Sequence, residues 1–353
     1  MNKIRNYIKE LCDIMTVSGF EYREKEKILS IDEGFFDEAI ADNVGSYLFI
    51  KRSNKKDAPR LLIDTHIDTI GMIVTEICDG GFVKFTSVGG LDAHVLGGCE
   101  VFIYGKERVY GVITSTPPHL LSKEDRSKLD TIESLYIDTG YSKEALSEIV
   151  SVGSPVAFAE DIISLENNVI CGPSFDNKAS CASALDAIIE TDKDELSFDV
   201  YLLFSCREES GAFAGAFTGA TRAKPDLAIS IDVNFAKAPD VDEFVSVKMG
   251  KGPSVSLSCV TNRKYTKKVV ALAEREGIPY QLVAEPNNVG TNGNALGLTN
   301  LGVICVDLGI PLGSMHTFSE TVSLCDCKSV SLLLSSIMKS EKLADEVKNE
   351  RKN

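Results

Sequence analysis

Apolar residues along this chain follow two rhythms, and the change between them marks its organisation. The opening MNKIRNYIKELCDIM sets Ile4, Ile8, Leu11 and Met15 at helical spacing, which predicts a surface helix. RLLIDTHID, VYLLFSCREES, LAISIDV and GVICVDL carry short continuous apolar runs, the pattern of strands covered on both faces. Helical stretches separate them. They are the Ala-rich SCASALDAIIE, TKKVVALAEREG closed by Gly277 as a C-cap, and a final amphipathic SVSLLLSSIMKSEKLADEV fraying into KNERKN. Between residues 69 and 164 the rhythm changes to short alternating runs punctuated by Gly: GMIVTEI, GFVKFTSVGG, CEVFIYG, RVYGVITS and SPVAFAE. That pattern predicts a small all-β unit, interrupted by the charged segment HLLSKEDRSKLD. The expected architecture is α/β, with residues 1–68 and 165–345 forming one discontinuous domain, 69–164 an inserted β domain, and 346–353 a frayed tail.

A length of 353 residues exceeds what one core usually organises, which agrees with two domains. No apolar run approaches the length needed to cross a bilayer, and the N-terminus lacks the apolar stretch and cleavage site of a signal peptide. The net charge of -15 disfavours nucleic acid and anionic membranes as partners. KRSNKK (51–56) and NRKYTKK (262–268) read as solvated faces. Ten scattered cysteines, mostly in apolar runs, fit reduced thiols in a cytoplasmic protein, and the lone pair Cys325 and Cys327 lacks the second pair a zinc knuckle needs.

The chemistry-bearing residues fall at strand ends and helix starts. Glu208 and Glu209 stand side by side after VYLLFSCR, and desolvating two adjacent carboxylates is costly unless a cation or a proton meets them. RLLIDTHID ends in His66 and Asp68, LAISIDV in Asp232, Asp176 precedes the Ala-rich helix, and His316 follows the GVICVDL strand. In open α/β sheets, ligands bind beyond the carboxyl ends of the strands. His66, Asp176, Glu209, Asp232 and His316 supply the imidazole and carboxylate donors that two divalent ions require. Glu208 is then free to act as general base, and Asp68 to accept the other N–H of His66, a place for which Asp64 competes. Such donors suit zinc, cobalt and manganese alike. His94 and His119 lie away from this set, and Glu320 reads as an exposed helix-start acid.

The ordered strings THIDTIGMIV, VGGLDAHVLGG, GVITSTPPHLL, LYIDTGYSKEAL, SFDNKASCASALDA, REESG, IDV and HTFSE resemble the glutamyl-aminopeptidase, or tetrahedral aminopeptidase, family across roughly residues 5 to 340. Members of that family are often labelled cellulase or endoglucanase. The resemblance implies a mixed-sheet, phosphorylase/hydrolase-like metallopeptidase domain with two zinc or cobalt ions, capped by an inserted β-barrel-like domain that aids assembly. It implies that His66 and Asp232 hold one ion, Glu209 and His316 the other, and that Asp176 bridges them, with Asp68 supporting His66. It implies a dinuclear aminopeptidase acting on short peptides, with Glu208 activating the metal-bridging water, and self-association into a dodecamer or a dimer.

Departures from the family pattern are Asn292 after Thr291 where Asp is common, Arg207 where Gln is frequent, Lys178 where Arg is frequent, and TFSE after His316. They bear on specificity, not on the donors. Two alternatives stand beside the leading one. A glycan hydrolase would work with two carboxylates and aromatic platforms, and this chain has no Trp. A catalytically silent metal-binding oligomer subunit would show no turnover on any aminoacyl substrate.

Overall fold

The computed structural model describes every residue except 33, 121, 123–129, 160, 240, 243–245, 288 and 351–353. Most of the charged segment HLLSKEDRSKLD therefore lies outside the described residues. In chain order the strands are β1 (Glu38–Ala41), β2 (Tyr47–Lys51), β3 (Arg60–His66), β4 (Gly71–Ile77), β5 (Val83–Val88), β6 (Glu100–Tyr104), β7 (Arg108–Thr114), β8 (Tyr136–Asp138) and β9 (Pro155–Phe158). They continue as β10 (Ile163–Ser164), β11 (Val169–Gly172), β12 (Asp199–Ser205), β13 (Leu227–Phe235), β14 (Ser254–Ser258), β15 (Gln281–Glu285), β16 (Ile304–Gly313) and β17 (Glu320–Ser323).

The continuous apolar runs are the inner strands of a mixed sheet in the order β1-β2-β12-β3-β13-β16-β17-β11-β10, with β14 and β15 joined alongside β16. Strands β12, β3, β13 and β16 run parallel, so their carboxyl ends open on one side. Both faces of this centre are covered, which is why these strands are apolar at successive positions. One face packs under the helices Asn2–Cys12, Phe175–Ile189 and Leu324–Lys339, through Ile4, Ile8, Leu61, Ile63, Ile229, Leu308 and Leu334. The other packs against the helix Ala214–Ala223 through Leu62, Leu203, Ala216, Ala220 and Ala228. Helix Phe175–Ile189 is buried along almost its whole length, and its alanines let the sheet and two outer helices approach from different sides. Helix Arg263–Glu276 starts three residues before the TKK string, where the Asn262 side chain accepts the N–H groups of Lys264 and Tyr265; it ends at Gly277 with φ 65°.

After β3 the chain crosses into a closed barrel, β4-β5-β8-β7-β6-β9, with its own core of Met72, Val74, Phe85, Val101, Ile113, Ile137 and Val156. The crossing is held by Thr69, whose N–H donates to Thr16 O and whose carbonyl accepts from Ser18 N. The barrel is thus a second hydrophobic unit fed from the strand that ends in His66. No helix among the described residues is long and apolar enough to cross a membrane.

Two surface readings are corrected. Lys51 is buried, and its Nζ donates to Ile188 O and Thr191 O at 2.7 Å, satisfying carbonyls at the end of helix Phe175–Ile189. The tail expected to fray from residue 346 is helical through Glu350. Val347 is buried there, and Glu346 and Glu350 pair with Lys268 and Lys264 of the other basic patch.

Candidate metal centre

Strand register sets the first donors. Residues two apart on a strand share a face of the sheet. Asp64, Ser230 and Asp307 form one rung across β3, β13 and β16. Two residues further along each strand, His66 closes β3, and Asp232 pairs with Gly309 on the same face, three residues before the end of β13. Beyond β12 the chain turns sharply at Arg207, φ 60°, and presents Glu208 and Glu209. Asp176 enters from the first turn of helix Phe175–Ile189, and His316, φ 61°, from the loop after β16.

All five predicted donors meet. His66 Nε2 lies 3.1 Å from Asp176 Oδ1 and 3.3 Å from Asp232 Oδ1. His316 Nε2 lies 3.4 Å from Asp176 Oδ2 and 3.3 Å from Glu209 Oε2. Asp176 therefore turns one oxygen to each imidazole. Asp176 Oδ1 and Glu209 Oε1 are buried without an aligned hydrogen-bond donor among the described residues. His66, Asp176 and Glu209 offer ligand atoms within 4.8 Å of one another. Buried carboxylate oxygens lacking donors, beside imidazole nitrogens, are a donor set that divalent cations satisfy.

The electrostatics among these side chains point the same way. Burial pushes Glu208 up to about 9, with the charges of Asp232, Glu209 and Asp176 adding and His66 opposing. Burial and Asp176 push Glu209 up to about 7. Burial likewise raises Asp232. The adjacent Asp176 and Glu209 carboxylates raise His316 to about 11. Burial works against a charged His66, yet the neighbouring Asp232 and Asp176 leave it well above the usual imidazole value. Asp176 is held low, because the two imidazoles beside it outweigh its burial.

Three buried acids fix the backbone of this centre. Asp68 Oδ1 and Oδ2 accept the N–H groups of Glu208 and Glu209, each at 3.1 Å. The expected carboxylate contact to His66 is absent in that form: Nδ1 pairs with the Asp68 main-chain carbonyl at 2.9 Å, and the Asp68 carboxylate stands 3.7 Å away. Asp64 lies one rung below His66 on the same face and makes no bond to its ring. Glu320, expected to be exposed at a helix start, is 1% exposed in β17. Its two oxygens accept Asp176 N at 3.0 Å and His316 N at 2.9 Å. Glu21, which the sequence did not single out, accepts Gly19 N and Arg207 N at 3.0 and 3.3 Å.

The barrel reaches the centre through its VGG string. A Cβ on Gly90 would stand 2.8 Å from His316 Nδ1, and one on Gly89 3.4 Å from Glu209 Oε2. Of the departures noted in the sequence, Arg207 and the TFSE string flank the donors, the first just ahead of Glu208 and the second carrying Glu320. Asn292 is buried and donates to Ser205 Oγ at 2.8 Å, and Lys178 is buried with its Nζ on Ile14 O at 2.8 Å. Thr291 donates to Asp307 Oδ1 at 2.7 Å. His94 is exposed and pairs with Asp92. A cavity of about 880 Å³ opens over the donors, and Glu208 lines it with His66, Asp176, Glu209, Asp232 and His316.

Comparison with known proteins gives this geometry a family. The model of the M42 glutamyl aminopeptidases matches residues 45–333. A putative aminopeptidase of Acetivibrio thermocellus is 30% identical over 332 residues, covering 93% of this chain and 96% of its own. The TET aminopeptidase of a marine sediment Thaumarchaeota archaeon superposes with a TM-score of 0.90 at 28% identity, over 98% of this chain and 99% of that one. The TET1 peptidase of Pyrococcus horikoshii, which can assemble into a tetrahedron or a large octahedral shell, gives 0.83 at 27% identity, over 95% and 99%. The match is to peptidases, which sets the glycan-hydrolase alternative aside, and the family's divalent metal ions suit the donors just described. From the sheet-end donors and the match across most of its length, the chain belongs to the M42 glutamyl aminopeptidase family and is a metal-dependent aminopeptidase, a hydrolase of peptide bonds.

Proposed function

We propose that this aminopeptidase is dinuclear, with His66 and Asp232 holding one divalent cation, Glu209 and His316 the second, and Asp176 shared between them. One observation carries the reading: Asp176 Oδ1 faces His66 and Oδ2 faces His316. Bound cations supply Lewis acidity toward water and the scissile carbonyl. Glu208 lines the cavity, and its main chain is held by Asp68. It takes the proton from the attacking water and delivers it to the leaving amine. Zinc or cobalt is the favoured occupant on the family resemblance, with manganese third, and the imidazole and carboxylate donors suit all three.

Residues 1–68 with 165–345 form the catalytic unit in this reading, and 69–164 form a lid. The lid assignment is supported by Gly89 and Gly90 of the barrel lying against Glu209 and His316. Short peptides are the substrates. The chain self-associates, with twelve subunits favoured over two. The exposed Leu298, Leu301 and Leu332 offer apolar surface for such contacts, and the Pyrococcus relative's shells supply the precedent.

Glu208→Gln tests the assignment. Turnover of aminoacyl substrates should fall by roughly 10²–10⁴-fold, while elemental analysis still finds wild-type metal content. A variant with wild-type turnover overturns the role of Glu208. Loss of metal together with activity would move Glu208 into the donor set.

A further inference from the structure

The cavity over the centre holds two acids that the chemistry does not use. Asp307 sits on the rung below Asp232, on the same face of the sheet, and is 3% exposed. Its Oδ1 accepts the neutral hydroxyl of Thr291, and Ser256 adds a second neutral hydroxyl to the carboxylate. Glu285 ends β15; its Oε1 takes a long 3.5 Å bond from Ser256 Oγ, and its Oε2 is buried with no hydrogen-bond partner among the described residues. Both residues line the cavity, and its described lining contains no Lys or Arg. The remaining wall is largely apolar, with Phe235, Val289, Leu308 and Met315.

The cations at the metal centre would compensate the charge of the donor set, but they leave Glu285 and Asp307 without a counter-charge of their own. Burying a carboxylate without a cation is unfavourable, and the raised pKa of both acids expresses that cost. A substrate side chain with an aliphatic stem and a cationic head satisfies both parts of this wall: the stem covers the apolar surface and the head meets the acids. An acidic side chain would meet like charge, with no cationic lining residue to receive it.

We propose that Glu285 and Asp307 form the subsite that selects a basic N-terminal residue, Lys or Arg, in the peptide substrate. The proposal rests on the aminopeptidase reading above and adds the substrate class. Glu285 and Asp307 are specificity residues here, and the Thr291 hydroxyl orients Asp307.

The test compares lysyl, arginyl, norleucyl and glutamyl anilides on the metal-loaded enzyme. Norleucine keeps an aliphatic stem and lacks the ammonium. Wild-type kcat/KM should favour lysyl over norleucyl by at least about tenfold, with glutamyl lowest. Glu285→Gln should shrink the lysyl-to-norleucyl ratio, and Glu285→Lys should reverse the order of lysyl and glutamyl. A wild-type enzyme that prefers norleucyl or glutamyl overturns the proposal while leaving the aminopeptidase reading intact. An equal loss on every substrate in Glu285→Gln also overturns it, because the acid would then serve the α-ammonium common to all. Calorimetry of L-lysine against L-norleucine on the same metal-loaded protein reads the subsite without turnover. Tighter lysine binding supports the proposal even if the anilides are silent, and equal binding overturns it.

Discussion

The carboxylate of Asp68 accepts the main-chain N–H of Glu208 at 3.1 Å, and so positions the proposed base by its backbone. Its second oxygen does the same for Glu209. Asp68→Asn keeps the volume but turns one acceptor into a donor, leaving one of the two N–H groups facing an NH₂. A buried donor left unsatisfied costs about 1–3 kcal/mol. The variant should lose roughly 10–100-fold in metal affinity or kcat, with the His66 contact kept, because that contact uses the Asp68 carbonyl. Steady-state kinetics with metal titration checks this. Wild-type values for both would show that the carboxylate positions nothing.

Glu320 makes the equivalent link on the other side, joining Asp176 N and His316 N through one side chain. Glu320→Gln should weaken cation binding by roughly 10–100-fold, and excess metal should restore part of the lost activity. Glu320→Ala, which leaves both N–H groups without an acceptor, should be worse and less stable to heat. Equal metal affinity in wild type and Glu320→Gln would refute the link.

The contrast between these acids and the donors shows what a sequence exposes. His66 was legible because an apolar strand that stops at a polar residue marks a carboxyl end, where α/β sheets bind ligands, and Asp232 because it interrupts such a run, although β13 continues to Phe235. The parallel strands and the barrel were legible because burial on two faces and on one face write different rhythms. Glu320 was not. Its partner Asp176 lies 144 positions away, and TFSETVS carries no sign that its acid is buried. Glu21 hid in the polar EYRE segment for the same reason, and Lys51 inside a run of basic residues. The glycines of VGG read as turn punctuation, whereas Gly90 is small because His316 stands against it. Long-range contacts of this kind leave no local pattern.

Gly90 yields a direct test of contact between barrel and centre. An added Cβ would lie 2.8 Å from His316 Nδ1, closer than packed atoms tolerate. Gly90→Ala should therefore displace the His316 ring, reduce metal content and slow turnover. Gly97→Ala is the control, since a Cβ there meets nothing within 4 Å. Matching metal content and activity in the two variants would separate the barrel from the centre.

The pH dependence of the centre has a definite sign. Burial and neighbouring carboxylates push Glu208 up to about 9 and Glu209 up to about 7. An unfolded Glu titrates near about 4.3. His316 is raised to about 11 and His66 well above the usual value. The folded chain therefore binds more protons than the unfolded chain through the neutral range. The acids' contribution to stability is full below about pH 4.3 and fades as pH rises through 7 and 9; that of the histidines is full below about pH 6.5 and fades toward higher pH. Asp176 has the opposite sign, but its range lies at acid pH. Cations replace these protons, so zinc or cobalt should raise the melting temperature more at about pH 8.5 than at about pH 5.5. Calorimetry in buffers of different ionisation enthalpy should record proton release on metal binding. Proton uptake, or a thermal gain that is larger at acid pH, would contradict the assignment of these residues as the ligands.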